Sequence, residues 1–375
     1  MISPKLFVDT LVADGLDFFS GVPDSLLKQM CAYITDTLDS HHNIIAANEG
    51  GAMGLAAGHY LATGKPGVVY MQNSGEGNII NPLASLVDKD VYSIPVLLII
   101  GWRGRPGIHD EPQHVKQGKV TLGLLETMEV PYEVLSKEEN DASAQISKAI
   151  MAVKTGNIYA LVVEKDTFET YKLQKDESIK TLTLTREYAI QSVAGSIEKN
   201  AAIVSTTGMI SRELFEYRTA MNEGHEKDFL TVGSMGHASQ IALGIALEKT
   251  NRRVYCFDGD GASIMHMGNM AIVAQQHPEN YVHVVFNNGA HDSVGGQPTV
   301  GLKIDLPAVA AAVGYREIIS VETKDELTQA LYRISVAKGP IFLQICVKKG
   351  NRKDLGRPTK TPIENKKALM EFLNK

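Results

Sequence analysis

The sequence predicts an α/β protein of two domains, each a parallel sheet flanked by helices. Three observations predict it. At 375 residues the chain is longer than a single hydrophobic core ordinarily serves. Short apolar runs alternate with helix-length segments along most of it, the rhythm of a parallel sheet whose crossovers are helices. That rhythm pauses once, in a polar stretch near residue 180, and then resumes with the same grammar.

In the first half the apolar runs are 16–19, 44–47, 68–71, 96–100 and 159–163. Residues 165–184 then carry Asp166, Glu169, Lys172, Lys175, Asp176, Glu177 and Lys180 with few apolar side chains, which suits a solvated connection. Thr185 is a helix N-cap candidate, followed by apolar residues at helical spacing. The runs return at 202–205, 254–257, 282–286 and 341–347. The expected organisation is a first domain over 1–170, a linker over 171–184, a second domain over 185–347 and a tail over 348–375. The start of that tail, KKGNRKDLGR, is strongly basic: either a solvated segment or a flap that contacts an anion.

Composition narrows the function classes. Hydrophobic residues make up 44% and charged residues 21%, which is ordinary for a globular chain and rules against disorder. A formal charge of -6 offers no overall basic field to nucleic acid or an anionic membrane. No apolar run approaches the roughly 20 residues of a membrane span, and the first residues lack a secretory pattern, so a cytoplasmic location is expected. Cys31, Cys256 and Cys346 are too few and too far apart for a disulfide framework or a zinc site.

In FDGDGASIMHMG, residues 257–268, an acid stands between two glycines where an apolar run ends. An aspartate at the C-terminal end of a parallel strand points into the crevice where open α/β sheets bind ligands. Gly259 and Gly261 leave the backbone open to a phosphate, and the following helix offers free N–H groups. Phosphate beside a carboxylate implies a metal between them, and Mg²⁺ requires about six oxygens. A structural turn is the plainer alternative for this tripeptide alone. The next apolar run ends in Asn287-Asn288, and 25 residues separate the pair from GDG. That is one helix plus one strand, a right-handed crossover that returns both strand ends to the same edge.

Gly259-Asp260-Gly261 and Asn287-Asn288 at this spacing resemble the cofactor signature of the thiamine diphosphate-dependent 2-oxo acid decarboxylases. The resemblance implies that Asp260, Asn288 and the backbone oxygen of Ala290 hold Mg²⁺, while Gly261, Ala262 and Ser263 meet the diphosphate with help from Thr207. It implies a carboxylate on the cofactor's aminopyrimidine, and IIAANEGGAMGLAAG supplies Glu49 at a strand-to-helix turn. Read by itself, Glu49 is also a helix N-terminal acid that interacts favourably with the dipole. In TVGSMGHAS the resemblance makes Met235 the apolar prop under the cofactor and Gly233 the carbonyl that accepts from its amine. The thiamine diphosphate-binding fold it implies is the two-domain form, since the short linker leaves no room for the third domain of larger members. A homodimer or higher assembly follows from the same resemblance, with active sites at the subunit interface.

The strand-end loops GVPDSLL, MQNSGEGNIINPL, GWRGRPGIHDEPQH and NNGAHDSVGGQPT are rich in hydrogen-bonding groups. Such loops suit a small anionic 2-oxo acid, and Ser25, Asn73, Arg103, Arg105 and His109 are its candidate contacts, with His114 nearby. A solvated loop is the alternative for the arginines and histidines. Loop order over the whole chain, with GNRKDLGRPTKTPIENK, is similar to the branch of the family that handles phosphonates. What that implies is non-oxidative decarboxylation of 3-phosphonopyruvate to phosphonoacetaldehyde and CO₂, with the sulfonate counterpart as alternative. Candidate proton handlers are Ser25, Asp24, His291 and Asp292; the paired histidines common in relatives are missing from GIHDEPQH. Competing motifs fail. GHYLATGKP has five residues between its glycines and misses the P-loop, and GGAMGLAAG contains no dinucleotide fingerprint, which disfavours a nicotinamide oxidoreductase.

Overall fold

The computed structural model describes residues 1–174 and 181–375. Of the polar connection, Lys175, Asp176, Glu177 and Lys180 lie outside the described residues. The chain forms two compact units, Met1–Glu177 with Val294–Gln297, and Ser178–Ser293 with Pro298–Lys375.

The first unit holds strands β1 (Phe19–Gly21), β2 (Asn43–Ile45), β3 (Gly67–Gln72), β4 (Val96–Gly101), β5 (Tyr132–Val134) and β6 (Tyr159–Val163). The second holds β7 (Ala202–Ser205), β8 (Asp228–Leu230), β9 (Val254–Gly259), β10 (Tyr281–Asn287), β11 (Glu317–Val321) and β12 (Ile341–Cys346). Both sheets are six-stranded, in the orders β2-β1-β3-β4-β6-β5 and β11-β12-β10-β9-β7-β8. Every neighbouring pair is parallel. Counted from its own first strand and read from the opposite edge, the second sheet repeats the strand order of the first. The expected fold class is therefore the observed one, and the similar grammar of the halves is a shared topology.

Each central strand feeds two cores, which explains why these strands read as unbroken apolar runs. In β3, Val68 and Tyr70 enter one cluster with Leu97 and Ile99 of β4, while Val69 and Met71 join Leu98 and Ile100 in another. In the second unit Tyr255 and Phe257 face one way with Val282 and Val284, and Val254 and Cys256 face the other with Val285. All three cysteines are buried and free, as packing residues would be.

Three strands escaped the apolar-run reading: β5, β8 and β11, and each is an edge strand. The sequences YEV, DFL and EIISV each carry a charged residue: Glu133 and Glu317 stay partly exposed at the edge, whereas Asp228 is buried against Arg218. The first strand also moves, from the expected 16–19 to Phe19–Gly21. Leu16 is buried, but it lies before the ladder begins at Phe19↔Val68. Among the described residues, no helix is long and apolar enough to cross a membrane.

The tail runs along the second unit and is largely exposed over residues 348–357. Lys348 N–H donates to Leu184 O at 2.8 Å, and Arg352 pairs with Glu187, Glu216 and Asp354, so its charge is locally matched. Helix Pro362–Leu373 follows, opened by a Thr361–Glu364 capping box.

Candidate active site

In the first unit Glu49 opens helix Glu49–Thr63, whose N-cap Asn48 accepts from Gly51 N–H at 2.9 Å. Its carboxylate is 4% exposed and accepts from Asn78 Nδ2 at 2.6 Å. Asn78 comes from helix Glu76–Pro82 beyond β3, and the turn before it passes so close that a Cβ on Gly75 would collide with the Glu49 carboxylate. Glu49 is thus both a helix N-terminal acid and a buried, oriented acceptor.

A second cluster gathers at the ends of β1, β3 and β4. Asp24 is fully buried and accepts from Gln72 Nε2 at 2.6 Å and Leu26 N–H at 3.0 Å. Arg103 Nη1 donates to Ser25 Oγ at 2.7 Å. The other face of the same guanidinium grips Asp110, with Nε to Oδ2 at 2.8 Å and Nη2 to Oδ1 at 2.5 Å. Burial opposes the ionised form of Asp110, but Arg103 and His114 outweigh it and hold the carboxyl well below the usual carboxylate range. Asn73 braces the loop, donating to Arg103 O at 2.8 Å and accepting from Arg103 N–H at 3.2 Å. Of the candidate substrate contacts, Ser25, Asn73 and Arg103 are brought together. Arg105 turns instead to Glu164 at 2.6 Å, and His109 is exposed in the loop.

In the second unit Asp260 follows β9 as the first residue of helix Asp260–Met265 and is 2% exposed. Burial pushes its carboxyl up to about 6. The Thr299 hydroxyl donates to Oδ2, and Asn288 N–H approaches Oδ1 at 3.4 Å. The crossover length therefore delivers what it predicted: β9 and β10 are adjacent, and Asp260 and Asn288 meet past their ends. Asn288 Oδ1 accepts from Ala290 N–H at 3.0 Å, and Ala290 is itself buried.

Around this pair stand the other predicted residues. A Cβ on Gly261 would lie 3.1 Å from the His291 ring and 3.5 Å from Met235 Cε, so both side chains overhang the bare turn. Packing pushes the His291 imidazole down to about 4, which leaves it neutral near pH 7. Ser263 Oγ donates to Asp258 Oδ2 at 3.1 Å, and Asp258 also accepts from Gly259 N–H at 3.0 Å. Thr207 Oγ1 donates to Val232 O at 2.9 Å, tying its loop to the segment that carries Gly233 and Met235.

This chemistry fits a hard cation and a diphosphate. Asp260, the Asn288 amide and the Ala290 carbonyl offer oxygen ligands, and among the described residues the buried Asp260 carboxylate has no cationic side chain bonded to it. A Cβ on Gly301 would strike the Asp260 and Asn287 side chains, so the floor of the cradle admits no larger residue.

Sequence reasoning missed Gln72, Asn78, Asp110 and Thr299 as partners of the named residues. All four stand inside loops already singled out for their polar content. Their pairings depend on how those loops fold back, which residue type alone does not reveal.

Residues 4–122 match the N-terminal TPP binding domain of thiamine pyrophosphate enzymes, and residues 206–345 match the C-terminal TPP binding domain. The fold is therefore that of a thiamine pyrophosphate enzyme. The chain is 34% identical to phosphonopyruvate decarboxylase of Streptomyces viridochromogenes over 100% of its own length and 95% of that protein. It is 33% identical to the phosphonopyruvate decarboxylase of Streptomyces hygroscopicus, over 99% and 94%. Sulfopyruvate decarboxylase of Methanosarcina acetivorans is 26% identical over 98% and 96%. The chain belongs to the phosphonopyruvate decarboxylase family.

Proposed function

We propose that the chain decarboxylates 3-phosphonopyruvate to phosphonoacetaldehyde and CO₂, without oxidation, using thiamine diphosphate and Mg²⁺. The observation that carries this reading is likeness over essentially the whole chain, both units included, to decarboxylases of that substrate. A cytoplasmic role in phosphonate biosynthesis accords with it.

When bound, thiamine diphosphate supplies an electron sink for the pair left behind as CO₂ departs. The rest falls to the chain's own residues. Asp260, Asn288 and the Ala290 carbonyl would hold Mg²⁺, and residues 261–263 the diphosphate. Met235 would prop the cofactor and the Gly233 carbonyl would accept from its amine. Glu49, held in orientation by Asn78, would share a proton with the pyrimidine nitrogen. Ser25 and Asp24 would handle a proton at the former carbonyl, with His291 serving from the second unit. Arg103 already donates to Ser25, so a substrate oxyanion that displaces this contact would meet a guanidinium oriented by Asp110.

The assembly proposed is a homodimer or higher, with active sites at the subunit interface. The experiment for substrate is CO₂ release by purified protein with thiamine diphosphate and Mg²⁺, comparing phosphonopyruvate, sulfopyruvate and pyruvate. Phosphonopyruvate is expected to turn over fastest. Faster turnover of sulfopyruvate would move the chain to the sulfonate reading, and faster turnover of pyruvate would sink the second-anion pocket altogether.

A further inference from the structure

Asp292 lies two residues beyond Ala290 in the loop after β10 and collects donors from three other places. Its Oδ2 accepts from Asn288 Nδ2 at 2.7 Å, from Gly350 N–H at 2.9 Å and from Arg186 Nη1 at 3.0 Å. Arg186 is gripped from its other side by Glu213, with Nε to Oε2 at 2.9 Å and Nη2 to Oε1 at 3.1 Å. The side chains of Arg186, Glu213 and Asp292 are 5%, 2% and 11% exposed. The network thus joins the start of helix Arg186–Ser196, helix Met209–Ala220, the loop of Asn288 and the first turn of the tail.

An asparagine amide is nearly symmetric in shape, yet one end only donates and the other only accepts. A cation needs the oxygen end. A carboxylate set against the nitrogen end rejects the flipped amide, which would place oxygen against oxygen. Here both ends agree, because Asn288 Nδ2 faces Asp292 and Oδ1 faces Ala290 N–H. Arg186 keeps the Asp292 carboxylate in place, and Glu213 keeps Arg186 in place. One cation between two anions leaves the cluster with a net negative charge, which favours a metal ion near Asn288.

We propose that Asp292 is a positioning residue, which sets the Asn288 amide oxygen toward the cation site and couples that site to the tail through Gly350. This rests on the reading of Asp260 and Asn288 as cation ligands. Residues that orient a ligand in this way commonly alter metal affinity by about 10–100-fold when removed.

The test uses Mn²⁺ as a spectroscopic stand-in for Mg²⁺ on the full chain, with free Mn²⁺ read by electron paramagnetic resonance in the presence of thiamine diphosphate. Asp292→Asn keeps the volume and one acceptor but no longer excludes the flipped amide, and is expected to bind Mn²⁺ about 10-fold more weakly, with Asp292→Ala nearer 100-fold. In the wild type, Mn²⁺ with thiamine diphosphate should slow hydrogen exchange at the Gly350 amide; in Asp292→Asn it should not. Asp292→Asn decides the matter if Asp292→Ala fails to fold. Wild-type Mn²⁺ affinity together with wild-type coupling to Gly350 in Asp292→Asn overturns the proposal. Asp260→Ala is the control for the reading beneath it, and if that variant binds Mn²⁺ as the wild type does, the cation site itself has been misplaced.

Discussion

Glu76 opens the helix after the turn that cradles Glu49, yet among the described residues neither of its buried carboxyl oxygens receives a hydrogen bond. The nearby Thr121 hydroxyl gives its proton to Gln117 O and accepts from Asn73. Burial, opposed weakly by Thr121, pushes the Glu76 carboxyl from 4.5 up to about 8. At neutral pH the folded protein keeps this proton, whereas the unfolded chain would release it. The contribution of Glu76 to stability is therefore fully present below about pH 4.5 and is lost as pH rises toward 8. Glu76→Gln removes the titration, so urea denaturation should show it more stable than the wild type by roughly 4 kcal/mol at pH 8 and nearly equal at pH 4.5. A constant difference across this range would mean that Glu76 ionises normally. Single residues differ in how far the sequence exposes them. Glu49 and Asp260 were legible because each stands at a strand-to-helix turn beside small residues. Glu76 was not, since its unusual state comes from what is absent around it, and only packing decides that.

At the scale of elements, the central strands were legible because burial on both faces writes an unbroken apolar run. The edge strands were not, because each is short or interrupted by a charged residue that breaks the apolar run. β8 shows how such a strand is secured by means that no local pattern announces. Its Asp228 forms a buried pair with Arg218, Nε to Oδ2 at 2.9 Å. Asn365, from the tail helix 135 residues further on, accepts from Leu230 N–H at 2.9 Å and donates to Asp228 O at 2.7 Å. This one amide closes the hydrogen-bonding groups of an edge, so the tail helix acts as its cover. Asn365→Ala leaves two buried backbone groups without partners and should lower stability by roughly 2–4 kcal/mol. A fall of several degrees in the calorimetric midpoint is the expected result. An unchanged midpoint would show that water reaches the edge and that the helix is ornamental to the sheet.

The whole molecule repeats one topology, and each unit carries its candidate site residues past the C-terminal ends of its strands. In the first unit these are Asp24 and Ser25 after β1, Glu49 after β2, Asn78 after β3 and Arg103 after β4; in the second, Thr207 after β7, Met235 after β8, Asp260 after β9 and Asn288 after β10. Neither unit alone carries both the acid proposed for the pyrimidine and the ligands proposed for the cation. In the proposed assembly the first unit of one subunit would serve the second unit of another. Glu49→Gln should still bind thiamine diphosphate with Mg²⁺ but lose CO₂ release by about 10²–10⁴-fold, the usual weight of a proton-transfer group. Asp260→Ala should lose Mg²⁺-dependent cofactor retention instead. Mixed after dissociation and reassociation, the two inactive proteins form hybrids in which one site combines both lesions and the other combines neither. Random pairing then restores about a quarter of the wild-type sites, since half the dimers are hybrid and half their sites are intact. Activity that stays at the level of the separate variants, although hybrids are present by native mass spectrometry, would place Glu49 and Asp260 in the service of a site built within one chain.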